Sequence, residues 1–293
     1  MPCDHTTATL TATTNRGFIT PWEKLSASKV LQFFGRFQND LFNVPLVLQP
    51  GVSLQIRLTK ARPAFCMMSK EADSKTNFKF LNAQLLLKRV KSDPVAQLYH
   101  NATLNTEAIA RYNMTRVELK KFTFSAGSKS LSIDNAVLAP IPKRLLFTMV
   151  KIANFIGTLD TNPYKFRHYD ISDFSLFMNG KQFLNEFLSL GTEQEKTSVM
   201  RYRTLFKGSG ILQSNFGHHI TRDMSLKGYF MLLFNITSDR GTSACQTSHP
   251  EQGNMRVELK FAKALPEAIT CLLYLEFDNS VLINLARNFT NDF

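Results

Sequence analysis

From Val52 onward the chain alternates apolar and polar positions with a period of two. Val52, Leu54, Ile56 and Leu58 alternate with Ser53, Gln55 and Arg57 after a tight turn at Pro50-Gly51, which predicts a half-buried strand. The same period recurs from Phe78 to Lys91, long enough for one bent strand or two successive ones, and Pro94 stops it. Between 95 and 112 the pattern changes. Val95, Leu98 and Tyr99 fall at helical spacing, with Leu104 and Ile109 following, and predict a short helix connecting two strand blocks. Alternation resumes over Arg116 to Phe124, turns at Ser125-Ala126-Gly127-Ser128, and returns over Arg144 to Val150 after Pro140 and Pro142. Asp173 to Met178 runs into Asn179-Gly180, a strong local signal for a two-residue hairpin turn. Further strands are expected at Gly228 to Ile236, Asn254 to Phe261 and Ile269 to Phe277.

Long connections separate some of these runs, notably Phe183 to Gly217 and Ser238 to Gly253. Strands do not alternate with amphipathic helices of about 10–15 residues, which disfavours a parallel α/β architecture. The class that remains is all-β and mainly antiparallel, with sandwich or jelly-roll topology leading. Residues 1–34 are rich in Thr, Ser and Ala and read as a poorly ordered lead-in, with Trp22 as a candidate anchor.

Composition supports a folded protein. Of 293 residues, 44 % are hydrophobic, 25 are Phe and 20 % are charged, too few for a disordered polyelectrolyte. The four cysteines, Cys3, Cys66, Cys245 and Cys271, are scattered, as suits a reducing compartment better than a disulfide scaffold. No apolar run is long enough to span a bilayer, and the start lacks the pattern of a signal peptide, so no membrane partner is expected. With 35 Lys+Arg against 23 Asp+Glu the net charge is +12, which raises weak, non-specific contact with nucleic acid. The densest basic groups, Lys88-Arg89-Val90-Lys91, Lys120-Lys121 and Lys143-Arg144, are short and interrupted, as on the solvated face of a strand.

Candidate chemistry is sparse. His218-His219 with Asp223 and His249 is the nearest approach to a metal set, but adjacent histidines point to opposite sides of an extended chain. Cys245 and His249 lack a partner pair. Gly208-Ser209-Gly210 lacks the Gly-Lys-Ser/Thr of a phosphate loop and reads as a turn between strands. Cys66, between Phe65 and Met67, reads as a small buried residue. Glu186, Glu193 and Glu195 fall in a polar loop, and Asp160, Asp170, Asp173 and Asp278 form no recognisable pair. Asn101, Asn113, Asn235 and Asn288 match the glycosylation pattern as composition only. No enzyme activity, catalytic residue, metal or cofactor is therefore expected.

Six segments in order carry a family resemblance: NDLFNVPLVLQPGVSLQIRLTKARPAFCMMS, FLNAQLLLKRVKSDPVAQLYHNATL, RVELKKFTFSAGSKSLSIDNAVLAPIPKRLLFTMV, NPYKFRHYDISDFSLFMNGKQ, SLKGYFMLLFNITSD and QGNMRVELKFAKALPEAITCLLYLEFDNSVLI. Together, over residues 35 to about 287, they resemble the major capsid protein of Polinton (Maverick) self-synthesising elements and adintovirus-like viruses. The resemblance implies a hexon-like double jelly roll, two antiparallel sandwiches per chain, with three chains in a pseudo-hexagonal capsomer. It implies the closing strands of a first jelly roll at 35–95, a connecting segment at 96–112, a complete second jelly roll at 113–287 and a tail at 288–293. Most of the first jelly roll is missing, so a fragmentary gene model, an expressed remnant of a transposable element and an unrecognised upstream exon all stay open. The implied partners are copies of the chain or of a full-length capsid relative. The implied location is the virion, with cytoplasm and nucleus open otherwise.

On this reading Pro50, Gly51, Asn179, Gly180 and Gly228 shape turns and close approaches. The core is expected to comprise Val117, Leu119, Leu145, Phe147, Leu176, Met178, Leu232, Phe234, Val257, Leu259 and Phe261. The same set would fill any β-sandwich. The rival functions are a sandwich module binding nucleic acid or another acidic ligand, and a remnant that does not assemble. A single-stranded nucleic-acid binder would display aromatics beside basic residues on one face. Here Phe122, Phe124, Phe147, Phe174, Phe177 and Phe234 sit in patterned apolar strands instead.

Overall fold

The computed structural model describes residues 24, 28–37, 39–43, 47–48, 51–69, 77–91, 93–106, 109–183, 188–189, 199–212, 214, 217–237, 251–284 and 288–292. The chain divides into two compact units: Met1–Leu31, Ala61–Thr76 and Val117–Phe277 in one, and Gln32–Lys60, Asn77–Arg116 and Asp278–Phe293 in the other. Trp22 and most of the expected lead-in, together with Pro50, lie outside the described residues.

Ten strands are assigned among the described residues: β1 Ala110–Phe124, β2 Ser130–Pro140, β3 Arg144–Lys151, β4 Ile171–Met178, β5 Lys181–Gln182, β6 Leu188–Ser189, β7 Leu232–Asn235, β8 Gln252–Phe261, β9 Ile269–Ile283 and β10 Phe289–Asp292. One sheet has the order β1-β9-β3-β7 with β10 on β9; the other has β2-β8-β4-β5 with β6 on β4. The neighbours are nested. β1 lies beside β9, β2 beside β8, β3 beside β7 and β4 beside β5, as in one long hairpin rolled up so that successive pairs fall in alternate sheets. That nesting is a jelly roll, and the fold is an all-β antiparallel sandwich.

Pairing registers follow the alternation. β3 pairs antiparallel with β9 from Arg144↔Glu276 to Lys151↔Ile269, and with β7 from Arg144↔Asn235 to Phe147↔Leu232. Central strands buried on both faces read as near-continuous apolar runs, as Ile269 to Leu273 do. The β2–β8 ladder shifts register between Ile133 and Val137. Asn135 takes the left-handed conformation there, φ 52°, and its side-chain oxygen accepts from Asn254 Nδ2 at 2.5 Å. Asn179 (φ 50°) and Gly180 (φ 78°) close the β4–β5 hairpin with Met178 opposite Lys181, as a two-residue turn of this twist requires. Gly51 also has positive φ, 86°. At Gly228 (φ 118°) the carbonyl accepts from Phe166 N at 2.9 Å, where Phe166 bridges Tyr229.

The core fills the space between the facing sheets. Leu145, Phe147, Leu176, Leu232, Phe234, Val257, Leu259 and Phe261 are buried, and Met178 packs against them partly exposed. Phe174 on β4 stacks on Phe234 of β7 at 5.0 Å between ring centroids and meets Phe147 of β3 at 5.1 Å. Val117 and Leu119 depart from expectation: they are 45 % and 59 % exposed. Along β1 the apolar positions change parity, odd at 117 and 119 and even at 122 and 124, so a regular strand can turn only one set inward. Phe122 and Phe124, the larger pair, pack against the core.

Three further elements depart from the pattern reading. The long connection after Phe183 contains the helix Val199–Ser209, which buries Arg201, Thr204, Leu205 and Gly208. Gly208 is therefore a helix-packing residue and not a turn between strands: a Cβ there would collide with the carbonyl of Leu233. Gly210, with φ 77°, directly follows that helix. Cys66 is exposed at the end of the short helix Pro63–Cys66, whereas Cys271 is buried in β9.

In the other unit, β10 pairs with the end of β9 from Phe289↔Ile283 to Asp292↔Ser280, in the segment read as a tail. The Tyr112 hydroxyl donates to the Val47 carbonyl at 3.1 Å, and Asp40 accepts from the Thr115 N–H at 2.6 Å. The connecting segment forms a helix, Pro94–Asn105. Asp93 caps it by accepting from Val95 N at 3.2 Å, and Pro94 occupies the first turn, where no N–H is missed. Its spaced apolar residues Val95, Leu98 and Tyr99 are exposed. Among the described residues, 51–60 and 77–91 carry no ladder, although both alternate as strands do.

Phe174→Ala should lower the unfolding free energy by about 3–5 kcal/mol, because it empties the contact between the sheets. Val117→Ala should change it by no more than about 0.5 kcal/mol. Urea unfolding of both variants provides the check, the Val117 variant testing the phase of β1 directly.

Candidate functional site

The densest polar cluster gathers on Glu267, in the loop between β8 and β9. Its carboxylate accepts from Lys151 Nζ at 2.8 Å, at the end of β3, and from the Tyr169 hydroxyl at 2.9 Å, while Arg167 Nη1 stands 3.5 Å away. Burial alone would raise the Glu267 pKa. The hydrogen bonds from Lys151 and Tyr169, with the positive charges of Lys151 and Arg167, outweigh that and hold the carboxyl below the usual glutamate range. Tyr169 is pushed up, first by its own burial and then by its bond to Glu267, so its hydroxyl stays protonated and donates.

Tyr169 also has an unusual backbone. It and Asp170 both lie in the left-handed region, at φ 47° and 50°, in a tight turn closed by Ile171 N donating to the His168 carbonyl at 3.0 Å. The Asp170 carbonyl accepts from Ala262 N at 2.9 Å, and its carboxylate lies 3.5 Å from Lys263 Nζ. Glu267, Tyr169 and Asp170 thus tie the turn before β4 to the loop before β9. Every charge in the cluster has an opposite neighbour, and the arrangement holds two loops in place.

Of the histidines weighed as metal ligands, His218 and His219 are among the described residues and His249 is not. His218 Nε2 lies 3.0 Å from the Ser209 hydroxyl and 3.2 Å from the Leu205 carbonyl, and its ring meets Phe206 edge to face at 4.9 Å. It therefore packs on the end of the helix Val199–Ser209, while His219 is exposed. Cys245 and His249, and the loop acids Glu186, Glu193 and Glu195, lie outside the described residues. Among the described residues no group of three or more His, Cys, Asp or Glu could hold a metal. Burial pushes the Cys271 thiol up, away from thiolate chemistry. No helix among the described residues is long and apolar enough to cross a membrane. Asn235 is buried and accepts from both the N–H and the hydroxyl of Thr237, at 3.2 and 2.8 Å, so its glycosylation pattern serves the end of β7 instead.

Sequence reasoning passed over Glu267 and Tyr169, which are distant in the chain and meet only because β9 folds back beside β3. Arg201 was also missed. It is almost fully buried, with its guanidinium 5.5 Å from the Phe230 ring, in a stretch whose pattern shows no regular apolar period.

No family model matches the chain. A Caenorhabditis elegans relative, "Uncharacterized protein F54H12.2", is 21 % identical over 258 residues, covering 85 % of this chain and 60 % of the relative, so the chain spans less than two thirds of that protein's length. Solved structures similar to it include PBCV-1 VP54 fitted into a reconstruction of the virophage Sputnik, at TM-score 0.40 and 10 % identity over 69 % of this chain and 54 % of that one. The quasi-atomic PBCV-1 capsid matches at TM-score 0.38 and 9 % identity, covering 64 % and 52 % of the two chains. The mavirus major capsid protein matches at 0.34 and 11 %, covering 63 % and 41 %. At these values the likenesses add nothing to the strand order, on which the jelly-roll assignment rests.

Because the Glu267 pKa is depressed in the folded state, its contribution should be fully present above the ordinary glutamate value of 4.5 and lost as pH falls through the lower folded value. Glu267→Gln should therefore melt below the wild type at pH 7, and the two melting temperatures should converge as the pH drops below 4.5. Thermal melts across pH 3 to 7 provide the check, at roughly half-unit steps. Melts with and without a chelator should coincide, since no described cluster couples metal to folding.

Proposed function

We propose that the chain is a capsid-type structural protein without enzymatic activity. In this reading residues 113–287 are its complete second jelly roll, 35–95 are the closing strands of a first one and 96–112 connect them. Self-association, in the manner of a trimeric capsomer, and a place in the virion belong to the same reading, as does derivation from a Polinton or adintovirus-like element. The observation that supports it most is the nested order β1-β9-β3-β7 facing β2-β8-β4-β5. A rolled hairpin of this kind is a rigid building block, and its function must be sought in sites placed on it. The polar cluster at Glu267 is consumed in joining loops, which leaves the surfaces to carry function. The six ordered segments that carry the family resemblance support the capsid assignment over other sandwiches.

Limited proteolysis with mass spectrometry should leave a protected fragment beginning near residue 113. Light scattering and negative-stain microscopy, after co-expression with a full-length family relative, should show discrete oligomers that include this chain. A chain that stays monomeric in that experiment and instead binds single-stranded DNA at physiological salt would favour the binding-module reading, to which the charge of +12 points.

A further inference from the structure

Residues 61–69 lie in the same compact unit as the sandwich, although residues 77–116, which come between them in the chain, belong to the other unit. Pro63–Cys66 makes one helical turn, closed by Met67 N donating to the Pro63 carbonyl at 2.8 Å, and the chain runs extended through Met67. Phe65 meets the Tyr164 ring edge to face at 5.7 Å, and Ser69 N donates to the Leu159 carbonyl at 2.7 Å. Backbone also approaches backbone. A Cβ on Gly157 would stand 3.1 Å from Phe65 Cα, and Gly157 has φ 87° besides, so two separate constraints select glycine there.

The loop that receives this segment holds its own shape. Asn154 Nδ2 and Lys165 N both donate to the Asn162 carbonyl, at 3.1 and 3.2 Å. Tyr164 N donates to the Asn162 side-chain oxygen at 2.9 Å, and Gly157 N to the Ala153 carbonyl at 3.1 Å. These bonds are all internal to the loop. The docked segment likewise closes its turn with its own atoms, so site and ligand are each formed before they meet.

We propose that the loop 154–164 is a peptide-docking site whose ligand is the segment Pro63–Ser69, and that it accepts this segment from a second copy of the chain. Identity of the ligand supplies the fit, because a neighbour's segment presents the same atoms as the one already docked. Recognition has two parts, an aromatic anchor at Phe65 and a strand-like backbone bond at Ser69, with Ala64, Met67 and Met68 half-buried around them. Residues 77–116 intervene and lie in the other unit, so short-range continuity does not force the segment onto its own sandwich. Within one chain the covalent link favours the chain's own segment through effective concentration. Between concentrated copies, exchange replaces one set of contacts with an identical set and costs little. The proposal rests on the self-associating reading above and names one contact between copies.

The test is fluorescence anisotropy of a labelled peptide, KARPAFCMMS (Lys60 to Ser69), kept reduced and titrated with the full chain. The Phe65→Ala chain lacks the anchor on its own segment and should bind the peptide saturably, at least about tenfold more tightly than the wild type, whose site is filled. Ser69→Pro deletes the N–H given to Leu159 and should vacate the site by a second route, with the same result. Tyr164 is exposed, so Tyr164→Ala spares the fold; added to either variant it should weaken binding by at least about tenfold, as should Phe65→Ala in the peptide itself. Light scattering of the wild type should show dimers on concentration, which Phe65→Ala and Ser69→Pro lose. Failure of both vacated variants to bind the peptide overturns the proposal, as does equal binding by the wild type or binding indifferent to Tyr164. Dimers that persist in both variants, or a wild type that stays monomeric at every concentration, overturn exchange between copies. Oligomers with a full-length relative, without peptide binding, would sink the docking site and leave the capsid reading standing; peptide binding by a chain that never joins such oligomers would do the reverse.

Discussion

The burial of Phe174 between Phe147 and Phe234 is the contact on which the sandwich depends. Phe174 comes from one sheet and the other two from the opposite one, so the three rings couple layers that share no backbone ladder. Ladders join strands edge to edge but do nothing to hold sheet on sheet. Burial of apolar area does that, at roughly 25 cal/mol per Å². The inward residues of β3, β7, β8 and β9 surround these rings and leave little room for a change of volume.

Polar groups are placed where the apolar interior ends. Glu267, Lys151 and Tyr169 join loops, and Asn135, Asn179 and Asn254 join strand ends: Asn179 accepts from Asn254 N at 2.9 Å while Asn254 donates to Asn135. Left-handed residues occur at both places, Tyr169 and Asp170 at one and Asn135 and Asn179 at the other. Such backbone is retained where surrounding bonds over-determine it. These bonds hold loops and strand ends in place where the apolar interior stops. The exposed aliphatic residues of 51–60 and 77–91 are the contrast, since among the described residues these segments carry no ladder.

The alternation of apolar residues was enough to identify β3, β4, β8 and β9, because each has an inward face that water would penalise if exposed. Asn179-Gly180 announced its hairpin for an equally local reason: both residues tolerate positive φ. The spacing of Val95, Leu98 and Tyr99 likewise marked the helix Pro94–Asn105. These features depend on neighbours within a few residues, so the chain states them directly. Other features depend on residues far apart. The phase of β1 was ambiguous because its apolar residues change parity, and only the position of the facing sheet turned Phe122 and Phe124 inward and Val117 and Leu119 out. Gly208 looked like a turn until Leu233 lay against it. Glu267 and Tyr169 are separated by 98 residues and acquire their shared bond only when the rolled hairpin brings the two loops together. Composition and period thus determined an antiparallel β protein, while the nesting of its strands, which decides who faces whom, belongs to the tertiary structure because sheet pairing joins residues that sequence proximity does not.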